Sequence, residues 1–255
     1  MAKRAKRRAR SKVVAPAVPG IAASDSLARV AKKLRATPKR TARERADDAY
    51  TRDGGALDIA MPARPVSIEL IAGRAHYDRI IKAVLGAHTS VWIATANVKE
   101  LMVEGAPARP GRRRSHRGGD YDSVLARFDE LAARGVELRL LHAELPSGPF
   151  RAEIAKHPRL LEGGLALARC PRVHLKTVIV DGALLYLGSA NWTGAGLGAK
   201  GSGRRNFELG IVTDDTALLD QVQAMYERVF SGGECAACKL RDVCPGPLSE
   251  LRSGV

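Results

Sequence analysis

The apolar positions fall into a regular order from about Val66 onward. Ser67–Leu70 predicts a strand. His76–Leu85 predicts an amphipathic helix, with Ile80, Ile81, Val84 and Leu85 on one side at helical spacing. Ser90–Ala94 (SVWIA) predicts a buried strand, Tyr121–Arg134 a helix and Val136–Leu141 another strand. Glu153–Leu161 is expected to be helical. Three apolar runs, Ala166–Ala168, Val173–Val180 and Leu184–Leu187, predict strands, and Phe207–Val212 a further one. Thr216–Phe230 predicts a closing amphipathic helix. Strands alternating with helices indicate an α/β domain with a parallel or mixed sheet. There is no internal repeat.

The order fails at both ends. Residues 1–60 hold sixteen Lys or Arg against six acids, together with Pro16, Pro19 and Pro38, and show little apolar periodicity. They read as a largely disordered basic arm, with a short helix at Ser24–Arg35 capped by Ser24 or Ser26. The ordered domain is expected to span 61–232, and a cysteine-containing tail 233–255. A second basic stretch, the loop Gly105–Gly119, carries Arg109, Arg112, Arg113, Arg114 and Arg117 and no acid.

Composition narrows the function classes. Of 255 residues, 45% are hydrophobic, enough for a core, so global disorder is excluded. The formal charge of +15 points to a polyanionic partner, either nucleic acid or an anionic membrane surface. For the arm three readings stay open: phosphate attraction through counterion release, a solubilising tail, or a transit peptide. No run approaches the roughly 18–20 apolar residues of a membrane-spanning helix. The N-terminal charges are followed by no apolar segment of the secretory kind. A cytoplasmic protein is expected, and the heavy use of Ala, Arg and Gly suggests a GC-rich bacterial genome.

The chemistry concentrates in Val173–Asn191, VHLKTVIVDGALLYLGSAN. On an extended chain residues two apart share a face, so His174 and Lys176 project together. Two cationic groups on one face repel unless an anion lies between them, and phosphate is the natural guest. The small-residue turn Gly188-Ser189-Ala190-Asn191 adds a hydroxyl, an amide and freed backbone N–H groups for phosphate oxygens. Glu208, in the next predicted strand, is placed to orient an imidazole through its second nitrogen.

These residues resemble the HKD motif of the phospholipase D superfamily: His174-x-Lys176-x4-Asp181, six residues, then Gly188-Ser189-x-Asn191. The resemblance covers about Val66–Phe230, with Ser67–Ala96 similar to the entry of that fold and Asn206-Phe207-Glu208 to its acidic strand. It implies an α/β/α sandwich around a mixed sheet, and phosphodiester cleavage through a phosphohistidine. His174 would be the nucleophile and Lys176 the charge-neutralising group. Asn191 and Ser189 would position the phosphoryl group, Asp181 would support local structure, and Glu208 would hold the imidazole tautomer. It implies no cofactor for catalysis. Only one such motif is present, since none of His76, His88, His116, His142 and His157 has Lys two residues on. A second histidine is needed as general acid, so the resemblance implies a homodimer with a composite site.

Outside the motif, Cys235, Cys238 and Cys244 form a C-x2-C-x5-C array, and Cys170 lies four residues before His174. Four thiolates suit a [4Fe–4S] cluster or structural Zn2+. The spacing resembles the iron–sulfur sites that staple the ends of some DNA-processing nucleases. Unliganded thiols are the alternative.

The expected function is that of a metal-independent endonuclease on DNA or RNA, without sequence specificity because the basic features address phosphate. A phospholipase D- or cardiolipin synthase-like enzyme held on anionic lipid is the second expectation, although no apolar interfacial face is legible. A non-catalytic nucleic-acid-binding module is the third. Trp192, next to Asn191, is expected to line the groove, and Trp92 to lie in the core.

Overall fold

The structure, a computed structural model, describes residues 57–105, 121–244 and 246–248. The chain divides into the units Met1–Asp53 and Gly54–Val255, and every described residue belongs to the second. Nearly all of the basic arm, the helix expected at Ser24–Arg35, the arginine loop after Gly105 and the end of the tail lie outside the described residues.

Seven strands make one sheet in the order β1-β9-β8-β7-β2-β5-β6. They are β1 (Glu69–Ala72), β2 (Ser90–Thr95), β5 (Glu137–His142), β6 (Ala166–Arg169), β7 (Thr177–Val180), β8 (Leu184–Gly188) and β9 (Leu209–Thr213). Strands β2, β5 and β6 run parallel, and β7, β8, β9 and β1 join antiparallel to their neighbours. The sheet is therefore mixed. Strands β3 (Met102–Glu104) and β4 (Tyr121–Ser123) form a separate antiparallel pair.

Strand β2 alternates in a way that needs cover on both faces. Val91 and Ile93 point to one side, with Leu138, Leu140, Val178, Val180 and Tyr186. That side is covered by the helical turn Tyr77–Ile81, helix α1 (Lys82–Leu85) and helix α2 (Val124–Ala133), through Ile80, Ile81, Val84, Leu125 and Phe128. Trp92 and Ala94 point to the other side, where helix α4 (Thr216–Phe230) packs Leu219, Tyr226 and Phe230. Helix α3 (Gly148–Ile154) adds Phe150 and Ile154 to the first side. The result is the expected α/β/α sandwich. Each main helix starts where a side chain replaces a missing backbone acceptor: Ser123 accepts from Leu125 N at 3.0 Å, and Asp215 from Leu218 N at 2.9 Å.

Three expectations shift. Tyr121–Ser123 is a strand and only Val124 onward is helical, because Ser123 with ψ at 139° caps the helix there. The region expected to be one helix at Glu153–Leu161 is the end of α3, at Ile154, and a separate turn at Leu160–Gly164, with Pro158 between them. Strand β7 begins at Thr177, so His174 and Lys176 lie on an extended lead-in rather than in the ladder. Within the cysteine-containing segment, Leu248 is buried with Tyr226 and Phe230.

Candidate active site

The register brings the motif to one end of the sheet. Thr177, the first residue of β7, pairs with Ala94 near the end of β2 and with Leu187 near the end of β8. Gly188, the last residue of β8, pairs with Gly210 at the start of β9. Residues just before β7, just after β2 and β8, and just before β9 therefore share one rim. That rim holds His174, Lys176, Ser189, Asn191 and Glu208. It also lies at the carboxyl ends of the parallel strands β2, β5 and β6, where α/β sheets leave a crevice.

His174 is exposed. Lys176 Nζ donates to the His174 carbonyl oxygen at 2.9 Å and stands 3.1 Å from Nδ1 and 3.3 Å from Nε2 of its ring. Burial lowers the Lys176 pKa, against the opposing pull of the Glu208 carboxylate. The imidazole and the ammonium therefore stand side by side on the rim.

Ser189 ties β8 to β9. Its N–H donates to the Leu209 carbonyl at 3.0 Å, its Oγ accepts from Leu209 N at 3.1 Å, and the hydroxyl donates to Glu208. Asn206 Nδ2 donates to the other Glu208 oxygen at 3.0 Å. The hydrogen bonds of Glu208 run to Ser189 and Asn206. A carboxylate already accepting two local donors is oriented by them.

Asn191 is held by the end of β2. Its Oδ1 accepts from Thr95 Oγ1 and from Asn97 N, both at 3.2 Å, which leaves its amide N–H2 as the free-standing donor end. Thr95 Oγ1 also accepts from Trp192 N at 3.0 Å. Trp192 is 1% exposed and packs on Phe128, so it anchors the turn from beneath and does not line a groove. Trp92 lies between Tyr226, at 5.3 Å ring to ring, and Arg139, as a core-side residue.

Asp181 is not part of this group. It follows β7 at the opposite end of the sheet, with a left-handed φ of 55°. Its carboxylate accepts from His88 N at 3.0 Å, Thr89 N at 2.7 Å, Thr89 Oγ1 at 3.0 Å and Ser90 N at 2.9 Å. Burial would raise its pKa, but the amides of Ser90, Thr89 and His88 outweigh it and hold the carboxyl below its ordinary range. It pins the start of β2 to the end of β7.

Sequence reasoning missed the support beneath the rim. The buried Tyr186 ring fills the space that a Cβ on Gly188 or on Gly210 would need. Burial pushes the Tyr186 phenol up to about 12, so it stays neutral. His76 meets Tyr186 edge-on at 5.6 Å and is fully buried, with Nδ1 3.2 Å from the Gly73 carbonyl and no partner for Nε2. Burial lowers its pKa. No local pattern marks His76, because its role comes from a strand more than a hundred residues later. Thr95 and Asn97 follow an apolar strand, and only their position at a carboxyl strand end could have drawn attention.

Beside the rim, Phe207 is fully exposed, and Leu70 and Leu209 are exposed on one face of the β1–β9 pair. This apolar row was not legible in the sequence. Among the described residues no group of three or more His, Cys, Asp or Glu side chains is arranged to hold a metal ion. No helix of the described residues is long and apolar enough to cross a membrane.

Residues 80–230 match the family described as cardiolipin synthase, PLD-like domain. A search of curated proteins by sequence returns no match. Among solved structures, NucT from Helicobacter pylori is 16% identical, with 64% of this chain and 95% of that chain covered and a TM-score of 0.44. Nuc from Salmonella typhimurium, a phospholipase D family member, is 18% identical over 64% of this chain and 93% of that one, with a TM-score of 0.43. Phosphatidylserine synthase from Haemophilus influenzae is 17% identical over 76% of this chain and 47% of that one, with a TM-score of 0.41.

Proposed function

The chain belongs to the phospholipase D-like family of phosphodiesterases, and from that premise we propose that it is an endonuclease cleaving DNA or RNA through a phosphohistidine. The observation that carries the reading is the His174–Lys176 pair, an exposed imidazole with an ammonium beside its ring, on the rim that also holds Ser189 and Asn191.

In the proposed reaction a His174 ring nitrogen forms a bond to phosphorus while the bond to the leaving oxygen breaks. Lys176 balances the charge that grows on the non-bridging oxygens. The Asn191 amide donates to one of them. The leaving oxygen takes its proton from the imidazolium of a second copy of the chain, facing the first across a two-fold axis. Water then attacks phosphorus with that second imidazole as base, the phosphorus–nitrogen bond breaks, and both histidines are restored. Ser189 and Asn206 hold Glu208 as a fixed anion beside the pair. These groups supply the positive field and the proton transfers themselves, so no divalent metal enters the steps.

Nucleic acid is favoured as the substrate by the formal charge of +15, of which a net +10 (sixteen Lys or Arg less six acids) lies in the first 60 residues. One observation favours a second reading. The apolar row of Phe207, Leu209 and Leu70 borders the rim and would suit the acyl end of a phosphatidyl substrate.

The test is cleavage of labelled single- and double-stranded DNA and RNA in EDTA, with wild type and His174→Ala side by side. Cleavage by wild type alone is the expected result. No nucleic acid cleaved, with headgroup release from cardiolipin or phosphatidylglycerol vesicles, would establish the second reading instead. Binding without any turnover that depends on His174 would leave a nucleic-acid-binding module.

A further inference from the structure

The nuclease reading leaves the cysteines unused. Cys170 precedes His174 by four residues, and Cys235, Cys238 and Cys244 follow helix α4. Sixty-five residues separate the first from the rest, yet all four line one pocket. None is paired in a disulfide.

The backbone is wound to present them there. The Cys170 N–H donates to the His142 carbonyl at 2.8 Å, continuing the β5–β6 ladder, and Val173 N returns to the Cys170 carbonyl at 3.0 Å. On the other wall Cys235 N donates to Gly232 O at 3.0 Å, Cys238 N to Cys235 O at 3.2 Å and Cys244 N to Arg241 O at 3.2 Å. Such consecutive tight turns expose side chains at short intervals. The rest of the wall includes Val229, Leu240 and Leu248, with Arg172 among them.

Four thiols in 255 residues would not gather by chance on one partly apolar wall beside arginines. Two guests suit four thiolates: a single soft ion or an iron–sulfur cluster. The spacing separates them. Structural Zn2+ sites are more often built from two C-x2-C pairs, whereas this chain has one such pair, Cys235 and Cys238, with Cys244 and the distant Cys170 outside it. A cluster with four thiolates also carries net negative charge, which Arg172 offsets, and it favours an apolar wall.

We propose that Cys170, Cys235, Cys238 and Cys244 ligate one [4Fe–4S] cluster that staples the segment after α4 to the turn leading into His174. The cluster takes no part in phosphoryl transfer. It ties together two stretches that otherwise meet through the packing of Val173, Tyr226, Phe230 and Leu248. The extended lead-in that carries His174 and Lys176 is thereby fixed at its upstream end.

The test is made on the full chain expressed with iron and purified without oxygen, so that it stands apart from any assay of cleavage. Iron and acid-labile sulfide are measured per chain, with the visible absorption spectrum. About four of each per chain, with broad visible absorption bleached by dithionite or oxidant, is the expected result. Cys170→Ser and Cys244→Ser should each lose the iron, while His174→Ala keeps it. Removing the cluster with a chelator should open the segment 231–248 to protease before the sheet unfolds. One zinc per chain without iron would overturn the proposal. So would four thiols that alkylate freely in the native wild-type chain. Because both readouts come from wild type, a variant that fails to fold does not blunt the test.

Discussion

Tyr186 lies in the space where a side chain on Gly188 would have to be. The phenol ring, fully buried and met edge-on by His76, rises under the turn that carries Ser189 and Asn191. The glycine of the motif is therefore a packing requirement two residues away from its cause. A Cβ there would meet the Tyr186 ring and, at 2.8 Å, the Leu209 carbonyl oxygen. Gly188→Ala is expected to cost about 1–3 kcal/mol by overpacking. It should also lower turnover, because the turn must shift. Denaturant unfolding and kcat on the same preparation check this. An unchanged midpoint would show that the ring gives way freely.

Lys176 and Glu208 make a pH prediction. Burial lowers the Lys176 pKa from its ordinary 10.5, and Glu208 pulls it back up. The ammonium is needed in its charged form, so activity should fall on the alkaline side at a pH below that of a free lysine. Glu208→Gln removes the upward pull and should move the alkaline limb lower still. The profile of kcat/KM against pH, for wild type and Glu208→Gln, measures both. A limb that does not move in the variant would break the link between the two residues.

Asp181 should matter for stability rather than for turnover. Its lowered pKa means that its contribution is fully present above the ordinary carboxyl value of 3.8 and is lost as pH falls through the lower folded value. Asp181→Ala leaves the His88, Thr89 and Ser90 amides without their acceptor and should cost about 1–3 kcal/mol. The left-handed φ of 55° adds strain for alanine. Unfolding measured between pH 2 and 7, roughly the carboxyl range, should show the wild-type advantage shrinking toward acid. Per folded molecule, the variant should cleave at the wild-type rate.

A composite site makes inactive chains interfere with active ones. Mixed under exchange with an excess of His174→Ala chains, wild type should lose more activity than dilution explains, because each mixed pair lacks one histidine. Sedimentation should give twice the chain mass of 27.3 kDa. Activity that falls only with dilution, in a protein sedimenting as one chain, would remove the second copy from the mechanism.

The family and the sandwich were legible in the chain because they rest on local order. Continuous apolar runs such as Val91–Ala94 and the helical stripe of Thr216–Phe230 state which segments and faces are buried, and the motif spacing states which groups can meet phosphate. The sequence by itself also determined the charge that favours a polyanion. What it did not contain was distance between residues far apart along the chain. That Asp181 lies at the wrong end of β7 to join His174 follows from where the strand begins, which is set by its pairing with β2 and β8. That Glu208 belongs to Ser189 and Asn206, that Trp192 points into the core, and that Tyr186 occupies the room beside Gly188 are likewise consequences of register. Register is fixed only when whole strands are laid side by side, since a slip of one residue turns every side chain to the other face. The convergence of Cys170 with the three cysteines after α4 depended on the same closure: two segments meet only once the helix between them has packed on the sheet.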